Sequence, residues 1–168
     1  MKKQLLYHAC LPENHEYHVP LTQIMEEGIT PSTKSNYWYS NGGKVKKNIA
    51  DKLRPTNAPD WLDFNSAIGV NIEKTVSKAL CFPVFTDKIM VFDSEVSMLI
   101  YDQAFYDDNQ YTFEEALDFD TGEAIEDLIQ KYWERMMTLE DYLKEIPYKK
   151  PEILLFQLVP SNLIQVSE

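Results

Sequence analysis

The most constraining stretch of the chain is 123–146. Here Ile125, Leu128, Ile129, Tyr132, Met136, Leu139, Leu143 and Ile146 recur at helical spacing. This period sets them on one side of a helix, and an apolar stripe of that length must be buried against another layer. The stripe fits one long helix, or two helices broken near Thr138, where Thr138-Leu139-Glu140-Asp141 offers a cap for the second. The rest of the chain has to supply the surface on which it packs.

That surface reads as strands. Residues 4–9 are short, apolar and aromatic; 88–92 and 97–101 are strand-like; 61–70 alternates loosely. Pro151 opens a nearly continuous apolar strand over 152–159, and 164–166 adds another. Leu21, Ile24 and Met25 predict a short helix stopped by Gly28. Residues 45–53 look helical up to Arg54-Pro55, and 72–80 look helical up to Pro83. Turns are expected at 57–60 and 107–109, and 31–43 reads as a loop with a short strand at Tyr37-Trp38-Tyr39. The order of these elements predicts a mixed α+β domain and is too irregular for a doubly wound parallel sheet. The absence of any GxGxxG or GxxxxGK[ST] pattern disfavours nucleotide binding by a glycine loop.

One domain spanning 1–168 accounts for the length, which suffices to bury about two-thirds of the unfolded surface. Aromatic residues make up 12%, far above what a disordered chain carries, so a packed core is expected. The formal net charge of −11 repels nucleic acid and disfavours a protein that tracks phosphate backbones. Arg54 and Arg135 are the only arginines, so bidentate clamping of phosphates falls on very few residues. No signal peptide is evident after Met1-Lys2-Lys3-Gln4, and no apolar run approaches the roughly 20 residues that span a bilayer. A cytoplasmic location with no membrane partner is expected, and Cys10 and Cys81 as reduced thiols. His8, His15 and His18 cluster in sequence without a zinc spacing, so no metal is expected.

Two residues stand out chemically. His8 is a polar group inside the apolar run Leu6-Tyr7-His8-Ala9, and Glu152 heads Ile153-Leu154-Leu155-Phe156. A carboxylate beside a buried strand costs free energy unless it is paired or faces a cleft, which is where working carboxylates are found. Each residue also has a plainer explanation. His8 fits a core histidine satisfied by a backbone carbonyl, and Glu152 fits an exposed strand-start residue.

The run Tyr7-His8, followed by a helix ending Ile24-Met25-Glu26-Glu27-Gly28-Ile29, resembles the opening of ADP-ribosyltransferase-fold enzymes. Pro151-Glu152-Ile153-Leu154-Leu155, with Val159-Pro160 and Ile164 beyond, is similar to that family's last catalytic strand. The similarity is nearest to the bacterial DNA-targeting ADP-ribosyltransferase toxins and their uncharacterised relatives. Lys88-Ile89-Met90-Val91-Phe92 followed by Tyr101-Asp102 looks like the central strand and the acidic segment after it. The likeness touches about a third of the chain. It implies a split mixed sheet with flanking helices and NAD as the substrate, in transfer of ADP-ribose or hydrolysis of the glycosidic bond. Glu152 would be the catalytic acid and His8 a ribose contact. Asn65 and Ser66 stand where the family often places a small polar residue, and Tyr37 would stack on nicotinamide.

Two departures accompany the likeness. Neither arginine occupies the family's pyrophosphate position, leaving Lys34 or Lys44 as substitutes, and Lys150 stands two residues before Glu152 where arginine-modifying members carry an acid or glutamine. An arginine acceptor is therefore disfavoured. The charge favours a protein or small-molecule acceptor over nucleic acid, although Lys44, Lys46, Lys47 and Lys52 form a local basic patch. The alternative of a different class is a non-catalytic acidic interaction module, an inactive relative or nucleic-acid mimic. RNA 2′-phosphotransfer, on the same fold, ranks last because it leans on several arginines.

Overall fold

The computed structural model describes residues 3–15, 18–31, 33, 50–107 and 120–168, with side chains described throughout these except at 105–107. Among the described residues the elements run as follows. Strand β1 (Leu5–His8) is followed by helix α1 (Leu21–Glu27), then β2 (Ile68–Val70), β3 (Ala79–Pro83) and β4 (Ile89–Asp93). Helices α2 (Ser94–Asp107) and α3 (Ile125–Glu134) come next, then β5 (Met137–Thr138), α4 (Leu139–Glu145), β6 (Pro151–Leu155) and β7 (Gln165–Ser167). The chain is a mixed α+β fold with two sheets, ordered β1-β3-β7 and β2-β6-β4-β5, and every strand pair in them is antiparallel.

Side chains alternate across the four-stranded sheet, as a pleat requires, and each face builds its own core. Ile89, Val91, Ile153 and Leu155 point one way, toward Leu6, Leu80 and Phe82 of the three-stranded sheet. Met90, Phe92, Leu154 and Phe156 point the other way, toward Val96 and Ile100 of α2 and Leu128, Ile129, Tyr132 and Trp133 of α3. A sheet covered on both faces needs apolar residues at consecutive positions. That explains why Ile89–Phe92 of β4 and Ile153–Leu155 of β6 read as continuous apolar runs instead of alternating ones.

The amphipathic stretch resolves into two helices. Thr138 caps α4 by accepting from the Asp141 amide at 3.1 Å, as its capping motif predicts. Between the helices, Met137 and Thr138 add a two-residue edge strand to β4. Two other elements differ from expectation. Residues 97–101 belong to α2, not to a strand: Asp93 accepts from the Glu95 amide at 2.9 Å and starts the helix, and Val96, Ile100 and Ala104 are buried at helical spacing. Residues 72–80 form no helix, because Ala79–Pro83 is drawn into the middle of the three-stranded sheet and Val76 is left exposed. Only Ile68–Val70 of the loose alternation at 61–70 is strand. Of 45–53 the described residues are 50–53, and all four are helical, Ala50 as α-helix and Asp51–Leu53 as a 3₁₀ turn; 45–49 lie outside the described residues. The strand expected at Tyr37-Trp38-Tyr39 lies outside the described residues.

The helix stop at Gly28 is a second joint of the fold. Its φ of 86° and ψ of −176° lie in a region essentially confined to glycine. The Gly28 amide still closes α1 on the Ile24 carbonyl, and the next residue, Ile29, exchanges both backbone hydrogen bonds with Val159. A Cβ at position 28 would lie 2.2 Å from the Val159 carbonyl oxygen, a backbone atom that cannot swing aside. Gly28→Ala is expected to cost at least about 2 kcal/mol, from the forbidden φ alone before the collision is counted. Urea unfolding would show this as a lowered midpoint with unchanged m-value, whereas an unchanged midpoint would mean the α1–Val159 joint carries no stability.

Candidate functional site

Glu152 occupies the second position of β6, directly opposite Phe92 of β4. It shares a pleat face with Leu154, so its carboxylate points into the helix-covered core and not into solvent. Only 8% of the residue is exposed. Both carboxylate oxygens are held. Tyr132 of α3 donates its phenol to Oε1 at 2.6 Å, and Ser97 of α2 donates its hydroxyl to Oε2 at 2.8 Å. Both lengths lie within the ordinary range of O–H···O hydrogen bonds. Removing either donor would take one buried hydrogen bond from the carboxylate, at about 1–3 kcal/mol.

The sequence places each donor. Tyr132 lies on the apolar stripe of α3, and its ring stacks on Phe92 with centroids 4.4 Å apart and planes 8° from parallel. Since Phe92 is the cross-strand partner of Glu152, a ring stacked there carries its hydroxyl to the neighbouring strand. Ser97 sits in the first turn of α2, which begins directly after β4 ends at Asp93. Asp93 is itself buried, and Arg135, just past the end of α3, pairs with its Oδ2. Tyr148 completes this rim: its hydroxyl donates to the Arg135 carbonyl at 3.1 Å. Burial, then the Asp93 carboxylate, then Tyr142, with a smaller push from Glu152, hold the Tyr148 phenol well above its ordinary range against a downward pull from Arg135. Asp93, Arg135, Tyr148 and Glu152 therefore share one electrostatic neighbourhood at the end of β4 and the start of β6.

His8 lies elsewhere. It pairs with Leu80 in the three-stranded sheet and shares a pleat face with Leu6, so it faces the core between the two sheets. Its neighbour Tyr7 exchanges both backbone hydrogen bonds with Asn71, the position after β2, and β2 pairs in turn with β6. Following alternation across β1, β2 and β6 sets His8 on the Ile153 side and Glu152 on the other. The structure does not bring the two onto a common face. His8 is 1% exposed, and its Nδ1 lies 3.0 Å from the Gly69 carbonyl, the environment of a core histidine.

Asn65 and Ser66 fall in a 3₁₀ turn (Phe64–Ser66) instead of a strand. Asp63 forces that turn, since its Oδ1 accepts from the Asn65 amide at 2.9 Å and from the Asn65 side chain at 3.0 Å. Ser97 is a small polar residue that is hydrogen-bonded to Glu152. Sequence reasoning missed Ser97 and Tyr132, along with Asp93. The available signals were Asp93-Ser94 at the end of an apolar strand, a helix N-cap, and a tyrosine among aliphatic residues on the α3 stripe. Tyr37, Lys34 and Lys44 lie outside the described residues.

Clefts open on two parts of the described surface. One of about 740 Å³ is bordered by Phe85, Asp87, Leu139 and Leu143, and one of about 400 Å³ by Cys10, His18, Lys78 and Val166. Neither lining includes Glu152, His8, Asn65 or Ser66. Among the described residues no group of three His, Cys, Asp or Glu side chains is placed to hold a metal ion. Cys10 and Cys81 are free thiols, and no described helix is long and apolar enough to cross a membrane. Searches against family models, curated proteins and solved structures returned no match to this chain.

Burial pushes the His8 imidazole down from 6.5 to about 4, against a smaller upward pull from the Gly69 carbonyl. The unfolded chain takes up this proton near pH 6.5, while the folded chain refuses it until about pH 4. Stability from this group is thus complete above pH 6.5 and falls as pH drops through that window. At 1.36 kcal/mol per pH unit the loss is about 3 kcal/mol. Urea titrations at pH 7 and pH 4.5 should show wild type losing more stability than His8→Gln. Parallel losses in the two proteins would refute a neutral, buried His8.

Proposed function

We propose that the chain is an ADP-ribosyltransferase-like domain that acts on NAD, transferring ADP-ribose or hydrolysing the bond to nicotinamide, with Glu152 as the working carboxylate. The observation on which this reading rests is Glu152 itself: a buried carboxylate near the head of a central strand, bonded at its two oxygens by the hydroxyls of Tyr132 and Ser97, facing the helix-covered core and lining neither described cleft. The division into two sheets, in contact at the Tyr7–Asn71 bridge, is compatible with the split sheet that the resemblance implies, but every described strand pair is antiparallel, so the mixed sheet of that expectation is not described.

In this reaction the glycosidic bond breaks and its electron pair leaves with neutral nicotinamide. Positive charge develops on the ribose, and a fixed carboxylate lowers the energy of that charge most when it needs no reorientation. Water, or a nucleophile on an acceptor, then bonds to the anomeric carbon and releases its proton. Hydrolysis balances as NAD plus water giving nicotinamide, ADP-ribose and a proton. The net charge of −11 favours a protein or small-molecule acceptor over nucleic acid. His8, on the opposite face from Glu152, enters this proposal as a brace between β1 and β2 and not as a ribose ligand.

That same separation favours the second reading, a non-catalytic acidic interaction module in which the buried Glu152 network is structural. Nicotinamide release from NAD, wild type beside Glu152→Gln, separates the two. The substitution keeps the side chain's shape and removes its charge. The catalytic reading expects turnover in wild type and at least a 100-fold loss in the variant, the order that an electrostatic group aimed at transition-state charge supplies. No release by wild type, with Glu152→Gln merely less stable to urea, would establish the structural reading in its place.

A further inference from the structure

We propose that the cleft bordered by Cys10, His18, Lys78 and Val166 binds a small carboxylate with an apolar body, whose single charge is received by Lys78 and His18. The site shares no residue with the Glu152 network and does not depend on the NAD reading.

The floor of this cleft is a cross-strand pair. Leu80 of β3 lies opposite Val166 of β7, and directly opposed residues share a face of the sheet. Leu80 is buried, but β7 is an edge strand and Val166 is left 38% exposed. The walls come from the chain between β1 and α1. Two turns fold it back on itself: the His15 amide donates to the Pro12 carbonyl and the His18 amide to the His15 carbonyl, both at 2.9 Å. Leu11, Val19 and Leu21 thereby border the same cleft as Leu80 and Val166. Its volume of about 400 Å³ is that of a small-ligand site, and apolar walls with a few placed polar groups are the usual surroundings of such ligands.

The polar groups select the ligand. A carbonyl can only accept, so His18 donates its Nδ1 proton to the Leu11 carbonyl, 2.8 Å away, and Nε2 is the ring atom left for a ligand. Lys78 forms no ion pair among the described residues, although the chain carries 27 acidic residues against 16 basic ones. Burial pushes the Cys10 thiol up, and the Lys78 ammonium pulls it down by less, which sets Lys78 beside Cys10 on the cleft. An ammonium without a carboxylate of its own, next to apolar walls, suits an anion that brings an apolar body. Glu13, on the same border, repels a second negative charge and holds the ligand to one. The larger cleft offers no such selection. There Thr86 and Thr138 direct their hydroxyls to Gln157 and Asp141, and Glu140 pairs with Lys144.

The test uses the full chain and three probes of equal chain length: hexanoate, hexanol and hexylammonium. Cys81 is buried and Cys10 exposed, so alkylation by iodoacetamide, followed by mass spectrometry, reads Cys10 and with it the occupancy of the cleft. Each variant is compared with its own rate in the absence of probe. Hexanoate is expected to slow alkylation saturably, and hexylammonium to bind about ten-fold more weakly, as attraction to Lys78 turns to repulsion. Lys78→Gln should weaken hexanoate about 3- to 5-fold, the size of a partly exposed ion pair, and leave hexanol unchanged. Lys149→Gln removes the same charge from an exposed position outside the cleft and should leave hexanoate at its wild-type affinity. Amide shifts of Cys10 and Val166 in ¹H–¹⁵N spectra carry the same comparisons where the thiol alkylates too slowly to follow. Equal binding of hexanoate with hexanol or with hexylammonium would overturn the choice of an anion. Equal losses in Lys78→Gln and Lys149→Gln would assign the preference to net charge and overturn the role of Lys78. No saturable protection and no shift with any probe would remove the site altogether.

Discussion

A carboxylate buried inside a sheet–helix interface must be satisfied, and the arrangement of α2, α3 and β4 around Glu152 follows from that requirement. The residue stands opposite Phe92, Phe92 carries the stacked Tyr132, and Tyr132 brings its hydroxyl back to Glu152. This closed circuit of one strand pair, one ring stack and one short hydrogen bond depends on the register of β4 against β6. A slip by one residue would turn Glu152 into the other core, away from both donors, and expose the alternation of the entire sheet to the wrong environments.

The four-stranded sheet divides the molecule into two apolar clusters with different compositions. The cluster on the Glu152 side is aromatic: Phe64 is in ring contact with Phe92, Tyr132, Trp133 and Phe156, and Phe92 with Tyr132 and Trp133, with centroids 4.4 to 6.4 Å apart. The other is chiefly aliphatic, with Leu6, Ile24, Ile29, Val91, Leu155 and Val159 at its centre and the His8 ring on its side of the sheet. Polar groups are admitted to each side only with partners, Glu152 with two hydroxyls and His8 with a backbone carbonyl. Rings suit the Glu152 side because they present large rigid faces, and a phenol adds a polar tip at a defined reach.

Much of the architecture was legible from local patterns. The period over 123–146, the cap at Thr138 and the glycine stop at Gly28 concern neighbours within one turn, and local energies decide them. The strands at Leu5–His8, Ile89–Asp93 and Pro151–Leu155 were visible as apolar runs bounded by polar residues. The errors fell where a residue's environment is set by a distant strand. Ser97–Tyr101 is rich in apolar residues and passes for strand until Asp93 is recognised as the cap of α2. The periodic 72–80 segment yields to pairing of Ala79–Pro83 with two other strands, because sheet hydrogen bonds and burial outweigh a weak local helical preference.

The site divides along the same line. That Glu152 is an anomaly at the head of an apolar strand, and His8 another inside one, the sequence determined by itself, since burial of a charge or an imidazole is improbable without a partner. Which partners they have was decided only by tertiary structure. Ser97 and Tyr132 lie 55 and 20 residues from Glu152 along the chain, and Gly69 lies 61 residues from His8. Pleat alternation through β1, β2 and β6, not proximity in sequence, sends the two anomalous residues to different faces. Side-chain direction in a sheet depends on the register of every intervening strand, and a single chain carries no local record of that register.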